Sequence, residues 1–409
     1  MQKKISMKKV KTLNSKPANS EFDKLQIGLT AGSHFVTDIY QSFYIGLIPI
    51  LTYKFGLSLF MVSLLSATSV ISNSLFAPVF GYIADKRGLK YFLVAGPLVT
   101  SAFLSVLGVI PTYWVIILFL FFGNLGIAAY HPASAAMAGL YGGSKKGLGT
   151  ALINFGGNFG VAFGSLLVIL ILKKIGVNYT PLTMIPGIAI AVILLRYVPL
   201  KQNADLSIKN LHFFTRLKKA NLKKLYLIAN LIFTVYSLFI VWVSLNTFMP
   251  LYFTEAKVTL INVGVILFLF GALGGTGGFL SGYLYDRFKK GYFLMQAGLI
   301  ISIPLVFLIF QTNGIAAIIF FILGGFFLIS ILPVCIRMSQ DLLPGNLGFA
   351  SSLILGFSSG LAGVTMIFLG KAADIIGIAM LVRLELSLLL ISFFILFGYP
   401  LMEKRLAKH

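Results

Sequence analysis

Gly81-Tyr82-Ile83-Ala84-Asp85-Lys86-Arg87-Gly88 is answered 201 residues later by Gly282-Tyr283-Leu284-Tyr285-Asp286-Arg287. The same displacement pairs Pro49 with Pro250, Tyr91-Phe92-Leu93 with Tyr292-Phe293-Leu294, and Gly123 with Gly324. It also pairs Pro132 with Pro333, Gly147 with Gly348, and Gly176 with Gly377. A constant offset kept over about 130 residues marks a duplicated structural unit, because chance identities do not hold one register for so long. The copies run in the same order, so two halves repeated in parallel orientation are expected.

Composition says what the unit is made of. Of 409 residues, 58% are hydrophobic and 11% charged, and the mean hydropathy of +0.95 is beyond what a water-soluble domain tolerates. At about 20 apolar residues per spanning helix, the chain accommodates about twelve helices and leaves no room for a sizeable soluble domain. Apolar runs bounded by charge, Gly or Pro predict helices over 27–53, 59–84, 89–110, 112–140, 147–172 and 179–198. A second set is predicted over 225–253, 261–285, 290–310, 315–342, 347–370 and 377–401. The expected fold class is therefore all-α integral membrane, with twelve transmembrane helices in two pseudo-symmetric six-helix bundles, 25–198 and 225–402. The longest polar stretch, 199–224, links them, and 1–24 and 403–409 are polar tails.

Thirty-three Lys and Arg against eleven Asp and Glu give a net charge of +22. In a soluble chain this would suggest a nucleic-acid partner, but no basic stripe interleaved with aromatics is present. Of the 33 cations, 26 fall in the tails and in the loops on the same side as them, 5 in the opposite loops, and 2 (Arg337 and Arg383) within helices. By the positive-inside rule both termini are expected in the cytoplasm, the protein lying in the cell inner membrane. Residues 1–24 lack an apolar core and a small-residue cleavage site and read as a tail. Cys335 is the single cysteine, so no intrachain disulfide is expected, and no Cys or His cluster has metal-ligand spacing. Gly142-Gly143-Ser144-Lys145-Lys146-Gly147 lacks the order of a phosphate loop. Neither nucleotide nor cofactor is expected, and no nucleophile lies in a recognisable enzymatic context.

The Gly81–Lys90 stretch resembles the loop 2-3 signature of the major facilitator transporters, and Gly282–Arg287 its degenerate copy in loop 8-9. Within that superfamily the chain is similar to the fosmidomycin-resistance type of drug exporters along nearly its whole length. Four motifs carry the likeness: Ser33-His34-Phe35-Val36-Thr37-Asp38-Ile39-Tyr40-Gln41-Ser42, Ala129-Tyr130-His131-Pro132, Gly156-Gly157-Asn158-Phe159-Gly160 and Gln340-Asp341-Leu342-Leu343-Pro344-Gly345. The resemblance implies a monomeric transporter that exports a small toxic compound against a proton gradient, by alternating access to a central site. The same fold also serves importers and facilitators of small organic anions, and direction is not written in these residues. The signature loops imply gating residues: Gly81, Asp85, Lys86, Arg87 and Gly88, with Gly282, Asp286 and Arg287. An Asp at a helix end beside cations forms charge-assisted bonds that would hold the halves together on the inner side. A purely topogenic charge cluster is the alternative reading.

His34, Asp38 and Gln41 stand at i, i+4 and i+7, on one face of the first helix. Counting from Leu25, Asp38 lies roughly 18 Å deep, about mid-bilayer. An ionisable group there is costly unless it faces a wet cavity, so Asp38 is the expected proton carrier and His34 the partner that tunes it. A neutral pair that merely ties helices together is the alternative. His131 lies at comparable depth on the fourth helix with Asn124 two turns earlier, and both are candidate substrate contacts. So are Asn154 and Asn158 of the fifth helix, whose glycines are expected to form contacts on which the halves rock. Trp242 and Asn246 share a face of the seventh helix and are candidates for an amphipathic wall.

Fosmidomycin-type exporters commonly follow the fourth-helix His-Pro with a Glu and, three residues later, an Arg. Here those positions hold Ala133 and Ala136, and an intramembrane Arg337 stands 201 residues after Ala136. Arg337 is expected either to bind an anionic group of the substrate bidentately or to pair with Asp341, one turn away.

Overall fold

The computed structural model describes residues 21–200, 222–343 and 347–400. Of the expected segments, the tails up to residue 20 and from 401, and most of the polar linker, lie outside these residues. Among the described residues eleven helices are long and apolar enough to cross a membrane, Leu89–Leu104 is a shorter apolar helix, and no strand occurs. The first half contains α1 (Lys24–Phe55), α2 (Leu59–Arg87), α3 (Leu89–Leu104), α4 (Tyr113–Tyr141), α5 (Lys146–Lys174) and α6 (Met184–Tyr197). The second contains α7 (Leu222–Glu255), α8 (Leu260–Phe288), α9 (Gly291–Ile309), α10 (Ile315–Leu342), α11 (Ala350–Ile376) and α12 (Ile378–Ile395). Successive helices run in opposite directions, which places both ends of the chain's helical body on one face, the termini face, opposite a far face.

Local chemistry repeats along with the register. Ser58 starts α2 by accepting from the Met61 amide at 3.3 Å, and Thr259, 201 residues on, starts α8 by accepting from the Asn262 amide at 3.4 Å. Each cap satisfies a donor that the first helical turn leaves open, which matters where no water replaces it. Lys86 and Arg87 end α2, where cations suit the carbonyl end of the helix dipole.

Three helices of the first half differ from the pattern expected from hydropathy. The first is interrupted at Ser42, whose φ and ψ of −99° and 1° leave the helix and divide it into Lys24–Gln41 and Phe43–Phe55. The third stops at Leu104, and residues to Val109 continue only as turns. The sixth begins at Met184, because Pro181, lacking an N–H, sits in a 3₁₀ stretch over Val177–Thr183.

Within the first half, α1 and α5 approach so closely that Gly156, Gly160 and Gly164 lie directly on the backbone carbonyls of Ala31, Phe35 and Ile39. Apolar burial gives no drive between helices in lipid, so small residues that let backbones touch supply the packing. The expected role for these glycines was rocking between halves; they instead pack α5 on its own bundle. The joints between halves are α2 against α11 and α5 against α8, the latter with Asn158 facing Gly275. Toward the far face α7 also packs on the second segment of α1 and on α2, where the Thr247 and Ser66 hydroxyls are bonded at 2.7 Å. Among the described residues α4 and α10 do not pack along one another.

Candidate functional site

The α1–α5 contact sets the geometry of the most polar point inside the first bundle. His34 Nδ1 lies 2.9 Å from the Ile153 carbonyl oxygen of α5, and His34 Nε2 lies 3.2 Å from Asp38 Oδ2. His131 comes in from α4 and places its Nε2 3.0 Å from Asp38 Oδ1. The carboxylate is thus held between two imidazoles, one oxygen to each. The Asp38 side chain is 5% exposed and that of His131 31%, so His131 is the side of the triad that meets the interior space.

Hydrogen accounting constrains the arrangement. A carbonyl oxygen only accepts, so His34 Nδ1 carries hydrogen. Two bare lone pairs would then face each other between His34 Nε2 and Asp38 Oδ2 unless a second proton lies between them. The contact to His131 needs only the N–H of a neutral ring. A proton between His34 Nε2 and Asp38 Oδ2 would complete the arrangement.

Surrounding residues leave this geometry little freedom. Tyr130, beside His131, donates its hydroxyl to the Thr30 carbonyl at 2.9 Å and bonds Ser33 at 2.5 Å. Its ring lies 5.4 Å from that of His34. A Cβ at Gly157 would stand 2.6 Å from His34 Nε2 and 2.8 Å from Asp38 Oδ2, so only glycine leaves room for the pair. One atom from each of the three groups lies within 4.8 Å of the others, a closeness that sequence spacing did not reveal and that would also suit a metal ion; His131 is hydrogen-bonded to Asp38 and His34 lies within ion-pair distance of it.

The other expected site residues are distributed as follows. Gln41 ends the first segment of α1, next to the break at Ser42. Asn154 and Asn158 are exposed on α5. Asn124 is fully buried, accepting from Ser69 at 2.9 Å and donating to the Leu120 carbonyl at 2.8 Å. Asn246 donates to the Trp242 carbonyl at 2.8 Å, so part of its amide serves its own helix.

Arg337 departs from one of its expected roles, the pairing with Asp341. Its guanidinium bonds Asp286 at 3.3 Å and Gln340 at 3.1 Å, while Asp341 accepts from Tyr285. The pair with Asp286 is open to solvent, the side chains being 44% and 60% exposed, and Lys289 joins it at 3.4 Å. Asp286 thus ties α8 to α10 within the second half, and no bond from it to the first half is present among the described residues. The physical reason is reach: Asp286 ends α8 on the termini face, where the Arg337 guanidinium of α10 lies within 3.3 Å. In the first-half copy, Lys86 lies over the Tyr82 ring, and Gly81 packs on Pro132 as Gly282 packs on Pro333. Arg383 donates to the Phe310 carbonyl at 3.1 Å, and Glu385 accepts from the Ser244 hydroxyl at 2.7 Å.

Two parallel six-helix bundles with a polar site inside the membrane match a known profile, that of the Major Facilitator Superfamily, over residues 30–364. The chain belongs to that superfamily. As a Major Facilitator Superfamily protein it is 24% identical over 355 residues to the fosmidomycin resistance protein of Escherichia coli K12, covering 85% of this chain and 86% of that one. It is 28% identical over 359 residues to the uncharacterized MFS-type transporter YfnC of Bacillus subtilis, covering 84% and 85%. Among solved structures, a bacterial homolog of the human lysosomal transporter Spinster superposes with a TM-score of 0.76 at 16% identity, over 94% of this chain and 97% of that one. A point mutant of the nucleoside transporter NupG gives 0.71 at 12%, over 91% and 99%. The fold is that of these transporters.

Proposed function

We propose that the protein is a proton-coupled secondary transporter that exports a small anionic or amphipathic toxic compound by alternating access, as a drug:proton antiporter of the fosmidomycin-resistance kind. The observation that carries this reading is the His34–Asp38–His131 triad, a buried carboxylate with an imidazole nitrogen within 3.2 Å of each oxygen. A proton arriving from the far face completes the triad, and its release toward the termini face leaves His34 Nε2 opposed to a bare carboxylate oxygen. The partly exposed His131 then offers a positive or hydrogen-donating edge to substrate, so that substrate and proton exclude one another. Likeness to the fosmidomycin resistance protein supports export as the direction and a toxic compound as the cargo. Gln41, Asn154, Asn158, Trp242 and Asn246 are the further polar and aromatic groups this reading assigns to substrate. The driving force is the proton gradient, with no cofactor and no enzymatic step. The protein works as a monomer in the cell inner membrane with both termini cytoplasmic, a placement supported by the skew of Lys and Arg toward the termini face.

The test is transport in proteoliposomes with fosmidomycin and a panel of small organic anions under an imposed pH gradient. The reading requires substrate-dependent proton movement in the wild type, opposite in direction to substrate, and its loss in Asp38→Asn. Transport that persists in Asp38→Asn without any proton signal would make the protein a facilitator.

A further inference from the structure

The far face is closed by a contact that none of the motifs contains. Asp374, at the end of α11 in the second half, accepts from the first two backbone amides of α2 in the first half: Leu59 N–H at 2.7 Å to Oδ1 and Phe60 N–H at 3.1 Å to Oδ2. The first amides of a helix have no partner within it and carry its positive dipole end, so a carboxylate across the interface takes both at once. Below this point the joint continues toward the termini face. Gly370 lies on Ser63, Gly363 on Val70 and Ile71, and Ser359 bonds Ser74 at 2.8 Å. Asp374 is thus the outermost bond of a seam along which α2 and α11 would have to part for the far face to open.

The repeat gives the contact an asymmetry. Lys173 holds the position 201 residues before Asp374, and Leu260 and Ile261 those 201 after Leu59 and Phe60. At the symmetry-related joint, α5 against α8, the register therefore supplies a lysine, which has donors only and cannot accept from a helix start.

We propose that Asp374 is a one-sided latch, a positioning residue that holds the far face shut by bonding the start of α2 and must release before substrate leaves by that face. The proposal rests on the alternating-access reading for its functional meaning, but the contact and its test do not depend on proton coupling or on substrate. Spin labels at Tyr53→Cys and Ile315→Cys report the separation of the halves. Both sites are exposed on the far face, and the native Cys335 is buried. Distances are measured in nanodiscs with no substrate and no gradient. With Asp374→Ala the long-distance, open population is expected to rise about tenfold over the same labels in wild type, the weight of one or two solvent-exposed charge-assisted bonds. Asp374→Asn, which keeps one accepting oxygen, is expected to fall between. Lys371→Ala, one turn earlier on α11, is expected to leave the distribution unchanged. The latch is overturned if Asp374→Ala and Asp374→Asn both give the wild-type distribution, or if Lys371→Ala shifts it as far. If Asp38→Asn abolishes transport while these distances behave as stated, the two readings stand separately; the same holds if proton coupling fails and the distances still shift.

Discussion

Gly81 lies against Pro132: a Cβ on the glycine would come 3.2 Å from that of the proline. The equivalent pair in the second half, Gly282 and Pro333, is looser, at 3.8 Å. The duplicated register is thus realised as the same contact, made between α2 and α4 in one bundle and between α8 and α10 in the other. Because the first contact is tighter than ordinary packing and the second is not, the two glycines are expected to respond differently. Gly81→Ala should lower the melting temperature in detergent by a few degrees while Gly282→Ala leaves it unchanged, and Gly81→Leu should abolish folding. Equal melting temperatures for the two alanine variants would mean that the first contact relaxes freely.

Gly157→Ala is expected to separate His34 from Asp38, since the new methyl would occupy the space of the bond between them. Transport in proteoliposomes should fall at least about tenfold, the cost of losing roughly one hydrogen bond to a charged group. Gly147→Ala, where nothing lies within 4 Å, serves as the matched change in the same helix and should transport normally.

The two imidazoles should be separable by experiment. His34→Phe removes the donor to the buried Ile153 carbonyl and one partner of a buried carboxylate, so it should destabilise the protein by about 3–5 kcal/mol, seen in thermal unfolding. His131→Gln keeps a donor within reach of Asp38 on a partly exposed side chain. It should fold normally and exchange substrate in counterflow, but lose the acceleration that an acidic far side gives to export.

Arg337→Ala breaks an exposed pair worth about 0–1 kcal/mol. Stability is expected to change little, and half-saturation by an anionic substrate to stay within a factor of two. A tenfold loss of apparent affinity would return Arg337 to the substrate.

Chelation offers a further check on the triad. A triad that works by protons alone predicts transport that is the same with and without EDTA, and a loss restored by zinc would point instead to an ion held by His34, Asp38 and His131.

The helical plan was legible in the sequence because hydropathy and a fixed displacement are properties of the linear chain. The α10 boundaries, Ile315–Leu342, agree with those read from apolar run length, and His34 and Asp38 were visible as a pair because four residues make one turn. The remaining parts of the site depend on contacts between helices. His131 is 93 residues from Asp38, and the Ile153 carbonyl is a backbone atom that no side-chain pattern marks. Gly157 was quoted for its motif, yet its purpose, space for a hydrogen bond on another helix, has no linear trace. For Arg337 one turn of spacing suggested Asp341, but the partner is Asp286, 51 residues away on a neighbouring helix. The interruption at Ser42 was invisible because no Gly or Pro stands there.

That interruption makes the first helix two mechanical pieces. The inner piece carries Asp38 one turn before its end, while the outer piece, Phe43–Phe55, is 13 residues long and spans from α5 to α7. A straight helix would have to tilt as a whole if α7 drew away. With a joint at Ser42, the outer piece could turn as a short lever whose fulcrum lies a single turn from the carboxylate, and motion at the far face would then reach the edge of the triad.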